Sequence, residues 1–443
     1  MSNGLTRQHN AKSLLVFAFP TIVMMVFMSI YTMVDGIFVA NFVSPDALAG
    51  LNLVIPALSI LVSLSIMLSA GGSVVISRKL GEGKDQEAKE DLTMIVGITV
   101  LFGAVVMVLA LVFADPILRM LGTTDNLYDV AYDYYRVLVM FTIPCLLQVQ
   151  FQYLFVTAGA PTLGLVCVVA GGVSNVILDY LFIAVLKLGI QGAALATGIG
   201  YSIPAVVGIV WFIINRKGML CFVKPKFRFS TLKNSLVNGV ASMIINLAGA
   251  TVTWLYNRVI VLYLGEVGIA AATIVLYARF MLSSVLSGYA SGVAPVISFN
   301  YGRQDFDQVK ILFRISLKAV MVGSALVFLA SVVLRDPIVS LFASNEPELA
   351  KLATRGIFLF AFSYLFNGVN TFAATMFSSL NNGKLSAFMA FLTTFVFLTG
   401  SMFLLPALGL GADGVWLAVP MAELLSLGVT IFLLKRNRTR YGY

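Results

Sequence analysis

Long apolar segments separated by short polar loops recur along the whole chain. A single helix needs about 20 apolar residues to span a bilayer. Twelve segments meet that length: 14–42, 47–77, 92–114, 132–157, 163–186, 192–214, 236–263, 267–299, 312–334, 353–379, 386–405 and 414–434. Helices are expected because a backbone exposed to lipid must satisfy its own hydrogen bonds. The pattern therefore predicts an all-α integral membrane protein with twelve transmembrane helices.

The composition agrees with a membrane location and argues against several other classes. Hydrophobic residues make up 59% of the chain and charged residues 11%, whereas a soluble domain carries about 25% charge. The cysteines Cys145, Cys167 and Cys221 show no CxxC spacing, and His9 is the only histidine. A disulfide framework, a transition-metal site or another resident cofactor is therefore not expected. No GxxxxGK[ST] motif is present, so ATP is not expected to drive the protein.

The distribution of basic residues predicts the orientation. An even number of spans puts both termini on one side of the membrane. If that side is the cytoplasm, 21 of the 29 Lys and Arg residues lie inside, 6 lie outside, and Arg258 and Arg279 fall within spans. By the positive-inside rule this bias predicts cytoplasmic termini in a cell (inner) membrane. The net charge of +9 is thus a topology signal and does not indicate nucleic-acid binding.

The second half of the chain repeats the first. The run Val75–Ser77 recurs as Val296–Ser298 and Asp115–Ile117 as Asp336–Ile338, both at an offset of 221, and Gly189–Gly192 corresponds to a run 222 residues later. Six spans in each half give the halves the same orientation, which is a pattern typical of transporters. We predict two pseudo-symmetric six-helix bundles, residues 1–215 and 236–443, joined by a basic cytoplasmic linker, residues 216–235.

Two acidic residues lie in apolar segments of the first half. Asp35 follows the first long apolar run, and Asp179 lies in the fifth, one helical turn after Asn175. A carboxylate at the centre of a span costs roughly 3 kcal/mol or more, so such a group normally carries a cation, a proton or a substrate. The repeat places Tyr256 and Ser401 at the equivalent positions. The alternative is a structural hydrogen bond that joins two helices.

The residues around these acids resemble a known family. Pro20, the run Tyr31–Val39 and the run Ile76–Gly81 are similar to the first two helices of the multidrug and toxic compound extrusion (MATE) family. The runs Asn175–Asp179 and Gly192–Thr197 resemble the fifth and sixth helices of its DinF-like and MepA-like branch. The resemblance covers essentially the whole chain. It implies a V-shaped pair of six-helix lobes that exports drugs in exchange for sodium ions or protons.

The resemblance also implies a cation site in the first lobe. In that branch the site uses an Asp on the first helix, an Asn and an Asp on the fifth, and a Thr on the sixth, which here are Asp35, Asn175, Asp179 and Thr197. Oxygen ligands of these types suit a hard cation, and they suit a proton equally well. A second-lobe site of the kind seen in another branch is not expected, because its acids are replaced. The residues in their place are Asn257, Asn367 and Asn370.

A substrate pocket is a further expectation. Met28, Tyr31, Gln148 and Gln152 could line an adaptable pocket, because thioethers repack around varied shapes. The structural alternatives are that the methionine only fills space in the core or faces lipid, and that the glutamines form hydrogen bonds between helices. Pro20 could bend the first helix in response to Asp35, or it could be an ordinary irregularity of a membrane helix.

Two charged residues fall within spans of the second half. Arg279 lies in the eighth span and Glu423 in the twelfth. A structural ion pair is the favoured interpretation, and a gate is the alternative.

The sequence thus predicts a secondary antiporter that exports amphipathic or cationic organic compounds by alternating access, coupled to sodium or protons. It would work as a monomer among membrane lipids. A flippase for a lipid-linked precursor is the runner-up, although such proteins usually have more spans and a basic central cavity. An intramembrane enzyme with Asp35 and Asp179 as an aspartyl dyad is a third possibility. The internal repeat and the lack of an extramembrane catalytic loop count against it.

Overall fold

The structure of the protein is a computed structural model that describes residues 4–42, 45–123, 125–343 and 346–443. Within these ranges the side chains of residues 32–42, 45–50, 52, 53, 126, 250, 254, 257, 266 and 341 are not described. The predicted all-α fold is confirmed, because the described part of the chain consists of helices and short connections.

Sixteen α-helices can be followed through the described ranges. They are α1 Ala11–Phe42, α2 Pro45–Gly81, α3 Asp85–Val112, α4 Ala114–Met120, α5 Asp125–Met140, α6 Thr142–Thr157, α7 Pro161–Asp179, α8 Gly189–Ile214, α9 Phe229–Gly302, α10 Phe306–Val333, α11 Arg335–Ala343, α12 Pro347–Ala361, α13 Tyr364–Ser379, α14 Gly383–Phe391, α15 Leu398–Leu405 and α16 Gly411–Tyr441. Three π-helical segments lie among them, at Tyr180–Val185, Leu392–Phe397 and Pro406–Leu410.

The number of membrane spans depends on how bent helices are counted. Among the described residues, nine helices are long and apolar enough to cross a membrane, with α9 divided at Gly265. The pairs α5–α6 and α12–α13 bend by 56° and 49°, and counting each pair as one span gives eleven. The last of the nine, Gly383–Tyr441, is interrupted at Gly409, whose φ is 94°. Dividing it there gives twelve, which is consistent with the prediction.

Glycine makes the interruptions possible. The 74-residue helix α9 breaks at Gly265, where φ is 61° and ψ is −154°. Residues with a Cβ rarely adopt this conformation, whereas glycine adopts it at little steric cost. The two arms of α9 correspond to the predicted spans 236–263 and 267–299. The hydrophobic pattern therefore predicted a boundary between two spans that the helical hydrogen-bond pattern of α9 does not show.

The sequence repeat reappears in the lengths of the helices. Helices α3 and α10 both have 28 residues, and each begins and ends at an offset of 221. Helices α6 and α13 both have 16 residues, at an offset of 222. Equivalent segments of the two halves therefore fold into equivalent elements.

The chain forms two compact units. One comprises Met1–Arg7 and Phe27–Gly239, and the other comprises Gln8–Val26 and Val240–Tyr443. Helix α1 therefore contributes residues to both units, and Pro20 belongs to the second. The lobe and linker boundaries inferred from the sequence stay a prediction.

A buried ionic cluster fastens the start of α9 to α2 and α3 within the first unit. The carboxylate of Asp91 is fully buried and lies 2.5 Å from Lys79 Nζ and 3.1 Å from Arg228 Nη1. Arg228 also pairs with Glu90, and Thr231 Oγ1 donates to Asp91. A buried charge is tolerated when it is paired and hydrogen-bonded in this way. Lys79 and Arg228, which the sequence assigned only to topology, thus help to hold the segment before α9 in place.

Small residues let α7 and α8 approach closely, which positions the site described below. A Cβ at Gly171 of α7 would lie 2.6 Å from the carbonyl oxygen of Gly200 in α8. A Cβ at Gly172 would lie 2.6 Å from the ring of Phe27, so α1 also packs against α7. Membrane helices commonly use small residues for such contacts.

Changing Gly171→Ala should separate α7 from α8. Because the clash is with backbone, we expect the substitution to destabilise the protein by about 1–3 kcal/mol. Gly97→Ala in α3 is the matched control, since nothing lies within 4 Å of a Cβ there. Thermal unfolding of the purified proteins in detergent measures the difference. Equal unfolding midpoints for the two variants would show that the close approach is not needed.

Candidate functional site: a polar cavity in the first unit

The close contact between α7 and α8 brings two of the predicted site residues together. Asn175 of α7 and Thr197 of α8 are both buried, and Asn175 Nδ2 donates a hydrogen bond of 3.4 Å to Thr197 Oγ1. The other amide atom, Asn175 Oδ1, is buried and accepts no hydrogen bond from the described residues. The site therefore offers an acceptor oxygen to a ligand that donates a proton or carries positive charge.

Asp179 lies one helical turn after Asn175, so both residues are on the same side of α7. Its side chain is fully buried. It is the last residue of α7 before the π-helical segment Tyr180–Val185. Such π-helical turns often occur at functional sites, because they break the regular spacing of side chains. The carboxylate is thus placed where the helix changes geometry, at membrane depth.

A small cavity lies beside Asn175 and Thr197, entirely within the first unit, and Asp179 is not among the residues that line it. Its walls are formed by Tyr31, Gln148, Val168, Gly171, Gly172, Asn175, Thr197, Gly200 and Tyr201. Its volume is about 10 Å³, close to the minimum that holds one water molecule. The cavity can accommodate one water or one small ion, and it is far too small for an organic compound.

The other predicted residues have varied positions. Asp35 belongs to α1, but its side chain lies outside the described residues. Tyr31 and Gln148 line the cavity together with Asn175 and Thr197. Gln152 is buried in α6, and the half-buried Met28 is in α1; neither is among the residues that line this cavity. Pro20 lies inside the continuous helix α1.

Tyr201 is a lining residue that the sequence analysis missed. It follows Thr197 by one helical turn in α8, so the same helix face carries both. That spacing was the available signal, but tyrosines are common in membrane helices and the position stood out only when the cavity was seen. Among the described residues, no group of three or more His, Cys, Asp or Glu side chains could hold a metal ion.

The second unit contains a separate polar cluster centred on Glu423. Its carboxylate accepts hydrogen bonds from Asn367 Nδ2 at 2.8 Å and from Asn370 Nδ2 at 2.7 Å. Thr430 in turn donates to Asn370 Oδ1 at 2.8 Å. The favoured expectation was a direct ion pair, but among the described side chains Arg279 and Glu423 form no contact within 4.0 Å, although the charge of Arg279 acts on the carboxylate from a greater distance. Two amides satisfy the carboxylate instead.

Comparisons with known proteins agree with the resemblance seen in the residues. The family model MatE matches residues 20–181 and 239–400. The multidrug export protein MepA of Staphylococcus haemolyticus is 23% identical over 435 residues, covering 97% of this chain and 94% of that protein. MepA of a bovine Staphylococcus aureus strain is 23% identical over 439 residues, covering 97% and 95%.

Solved structures share the fold. A crystal structure of MATE in complex with MaL6 matches with a TM-score of 0.94 at 19% identity, covering 100% of this chain and 99% of that chain. An outward-facing conformation of a multidrug resistance MATE family transporter of the MOP superfamily matches with a TM-score of 0.93, at the same identity and coverage. The family model covers most of the sequence. The chain therefore belongs to the multidrug and toxic compound extrusion (MATE) family, whose members are multi-pass membrane transporters and not enzymes.

Proposed function

We propose that the protein is an antiporter that exports amphipathic or cationic organic compounds in exchange for sodium ions or protons. It would work in the cell membrane with both termini in the cytoplasm. The observation that carries this proposal is the hydrogen-bonded pair Asn175–Thr197, which lines a cavity of the size of one small ion, with the buried Asp179 one helical turn after Asn175. The curated relatives named multidrug export protein support export of varied compounds.

The size of the cavity indicates that the coupling ion and the exported compound bind at different places. About 10 Å³ admits one small ion or one water, so the drug must bind elsewhere. We propose Met28, Tyr31, Gln148 and Gln152 as part of the substrate pocket. Tyr31 and Gln148 also line the ion cavity, so these two side chains connect the two sites.

Asp35 completes the proposed coupling site. It follows Tyr31 by four residues in α1, a spacing that puts two positions on one face of a helix. Helix α1 packs against α7 at Gly172, close to Asn175. Asp35 and Asp179 would then supply carboxylate oxygens, with the amide and hydroxyl oxygens of Asn175 and Thr197, to a sodium ion or a proton.

Coupling requires that the ion distinguishes two conformations. A ligand with equal affinity for both states shifts no equilibrium, however tightly it binds. A site built from α1, α7 and α8 meets the requirement if a bend in α1, for which Pro20 is the candidate, changes the distance between Asp35 and the other ligands. Ion binding would then favour one conformation, and the drug the other.

Removing the charge of Asp179 should separate binding from transport. Asp179→Asn keeps the size of the side chain and relieves the cost of a buried charge, so expression should hold. We expect ethidium binding to persist and gradient-driven ethidium efflux from proteoliposomes to fall by about tenfold or more, because coupling is lost. Asp115→Asn is the matched control, since that carboxylate is 58% exposed outside the site. Normal efflux in Asp179→Asn under both a sodium and a pH gradient would mean that Asp179 is structural.

The hydroxyl of Thr197 should set the affinity for the coupling ion. Thr197→Val keeps the branched shape but removes the oxygen, at a cost of about 1 kcal/mol. The ion concentration for half-maximal efflux should therefore rise by about fivefold, and Thr197→Ser should restore it. A titration of efflux against the driving ion measures this change. If Val and Ser behave alike, the hydroxyl is not a ligand.

A further inference from the structure

A second, larger cavity lies entirely within the second unit. Its volume is about 80 Å³, enough for several water molecules or a small organic group. Its polar lining consists of Arg279, Asn367, Asn370, Thr371, Thr393, Thr394, Glu423 and Ser426, and apolar side chains of α9, α13, α14, α15 and α16 provide the rest. The cavity thus combines both signs of charge with an apolar wall.

The two charges that line this cavity form no direct ion pair. Glu423 is 6% exposed, and both of its oxygens accept hydrogen bonds from amides. Arg279 forms no hydrogen bond or ion pair with any described residue, and its one ring contact is with Phe360, at 5.9 Å from the ring centre. An Arg at membrane depth normally pairs with a counter-charge. Its five N–H donors are therefore available to a ligand in the cavity.

Glu423 is held in a fixed position as an acceptor. Asn367 and Asn370 both donate to it, and Thr430 fixes the amide of Asn370 from behind. Each carboxylate oxygen has a second lone pair, so the group can also accept from a bound ammonium. A preorganised acceptor of this kind loses little freedom when a ligand binds.

The combination of charges restricts the class of ligand. A simple cation would be attracted by Glu423 but repelled by Arg279, and a simple anion would meet the reverse situation. A molecule with a cationic and an anionic group satisfies both side chains at once. The guanidinium is also suited to a carboxylate, which it can bind through two parallel hydrogen bonds.

The internal repeat shows that this chemistry is specific to the second unit. At an offset of 222 residues, seven of the nine lining residues of the first cavity align with lining residues of the second. Gly171, Thr197, Gly200 and Tyr201 correspond in this way to Thr393, Val419, Ala422 and Glu423. Each half therefore builds a cavity at the same position of the repeat. The first has polar uncharged walls in its described part, and the second has one positive and one negative side chain.

We propose that the cavity of the second unit binds small amphipathic zwitterions of the amino-acid type. The carboxylate of the ligand pairs with Arg279, its ammonium pairs with Glu423, and its apolar part lies against the apolar wall. The proposal deepens the proposed export function, on which its transport part rests, but the binding itself can be measured without transport.

Three related probes test the charge requirement. L-phenylalanine carries both charges, its methyl ester carries only the positive one, and N-acetyl-phenylalanine carries only the negative one. We expect the full-length protein in nanodiscs to bind the zwitterion about tenfold or more tightly than either derivative, because each derivative lacks the group that would pair with Arg279 or with Glu423. Equal binding of the three probes, or no binding of the zwitterion, would overturn the proposal.

Substitutions of Arg279 and Glu423 test which residue binds which charge of the ligand. Arg279→Gln should abolish the preference for phenylalanine over its methyl ester, and Glu423→Gln should abolish the preference over the N-acetyl form. Arg279→Lys should keep the first preference. Arg258→Gln is the matched control, because Arg258 lies in the other arm of α9 and is exposed outside the cavity. If Arg279→Gln keeps the full preference of the unchanged protein, the assignment is wrong.

Efflux of ethidium distinguishes the possible failures. A variant that still exports this simple cation is folded, so its loss of zwitterion binding can be assigned to the cavity. If the unchanged protein exports ethidium but binds the three probes equally, the inference fails and the proposed function stands. If it binds the zwitterion selectively but exports nothing, the proposed function fails and the binding site stands.

Discussion

The cost of placing polar groups at membrane depth is the constraint on which the structure depends. Lipid offers no hydrogen bonds, so the backbone must form helices. Each buried side-chain charge must be paired or must serve a function such as ligand binding. Asp91 has partners, because Lys79 and Arg228 surround it. Glu423 has two amide donors. Arg279 instead lines the cavity of the second unit, and Asp179 is buried one helical turn after a residue that lines the cavity of the first.

The internal repeat explains why the protein has two cavities with different chemistry. The helices α3 and α10 have equal lengths, as do α6 and α13, each half has one strongly bent helix pair, and most lining positions of the two cavities correspond at an offset of 222. The repeat gives the two halves a cavity at the same position, and differences at a few lining residues change which ligand each cavity suits. Oxygen ligands and a volume near that of one water favour an ion in the first unit. Opposite charges in a larger space favour a zwitterion in the second.

Much of the fold could be predicted because it depends on periodic, local signals. Apolar run length predicted the helices and separated the two arms of α9, although α9 is continuous except at Gly265. The contact between Asn175 and Thr197 came from the family resemblance, since nothing in the spacing shows that α7 lies against α8. The partners of Glu423 could not be predicted, because hydropathy locates a charge within a span but not the face of the neighbouring helix that it meets. By charge alone, Arg279 was the expected partner of Glu423, but two amides of α13 donate hydrogen bonds to the carboxylate instead.

The central claim is that an ion in the first unit drives export. Ethidium efflux from proteoliposomes that contain the unchanged protein, measured under an imposed sodium gradient and separately under an imposed pH gradient, tests it most directly. The account predicts that efflux follows at least one of the two gradients and stops when that gradient is collapsed. Efflux that proceeds at the same rate with neither gradient present would contradict it.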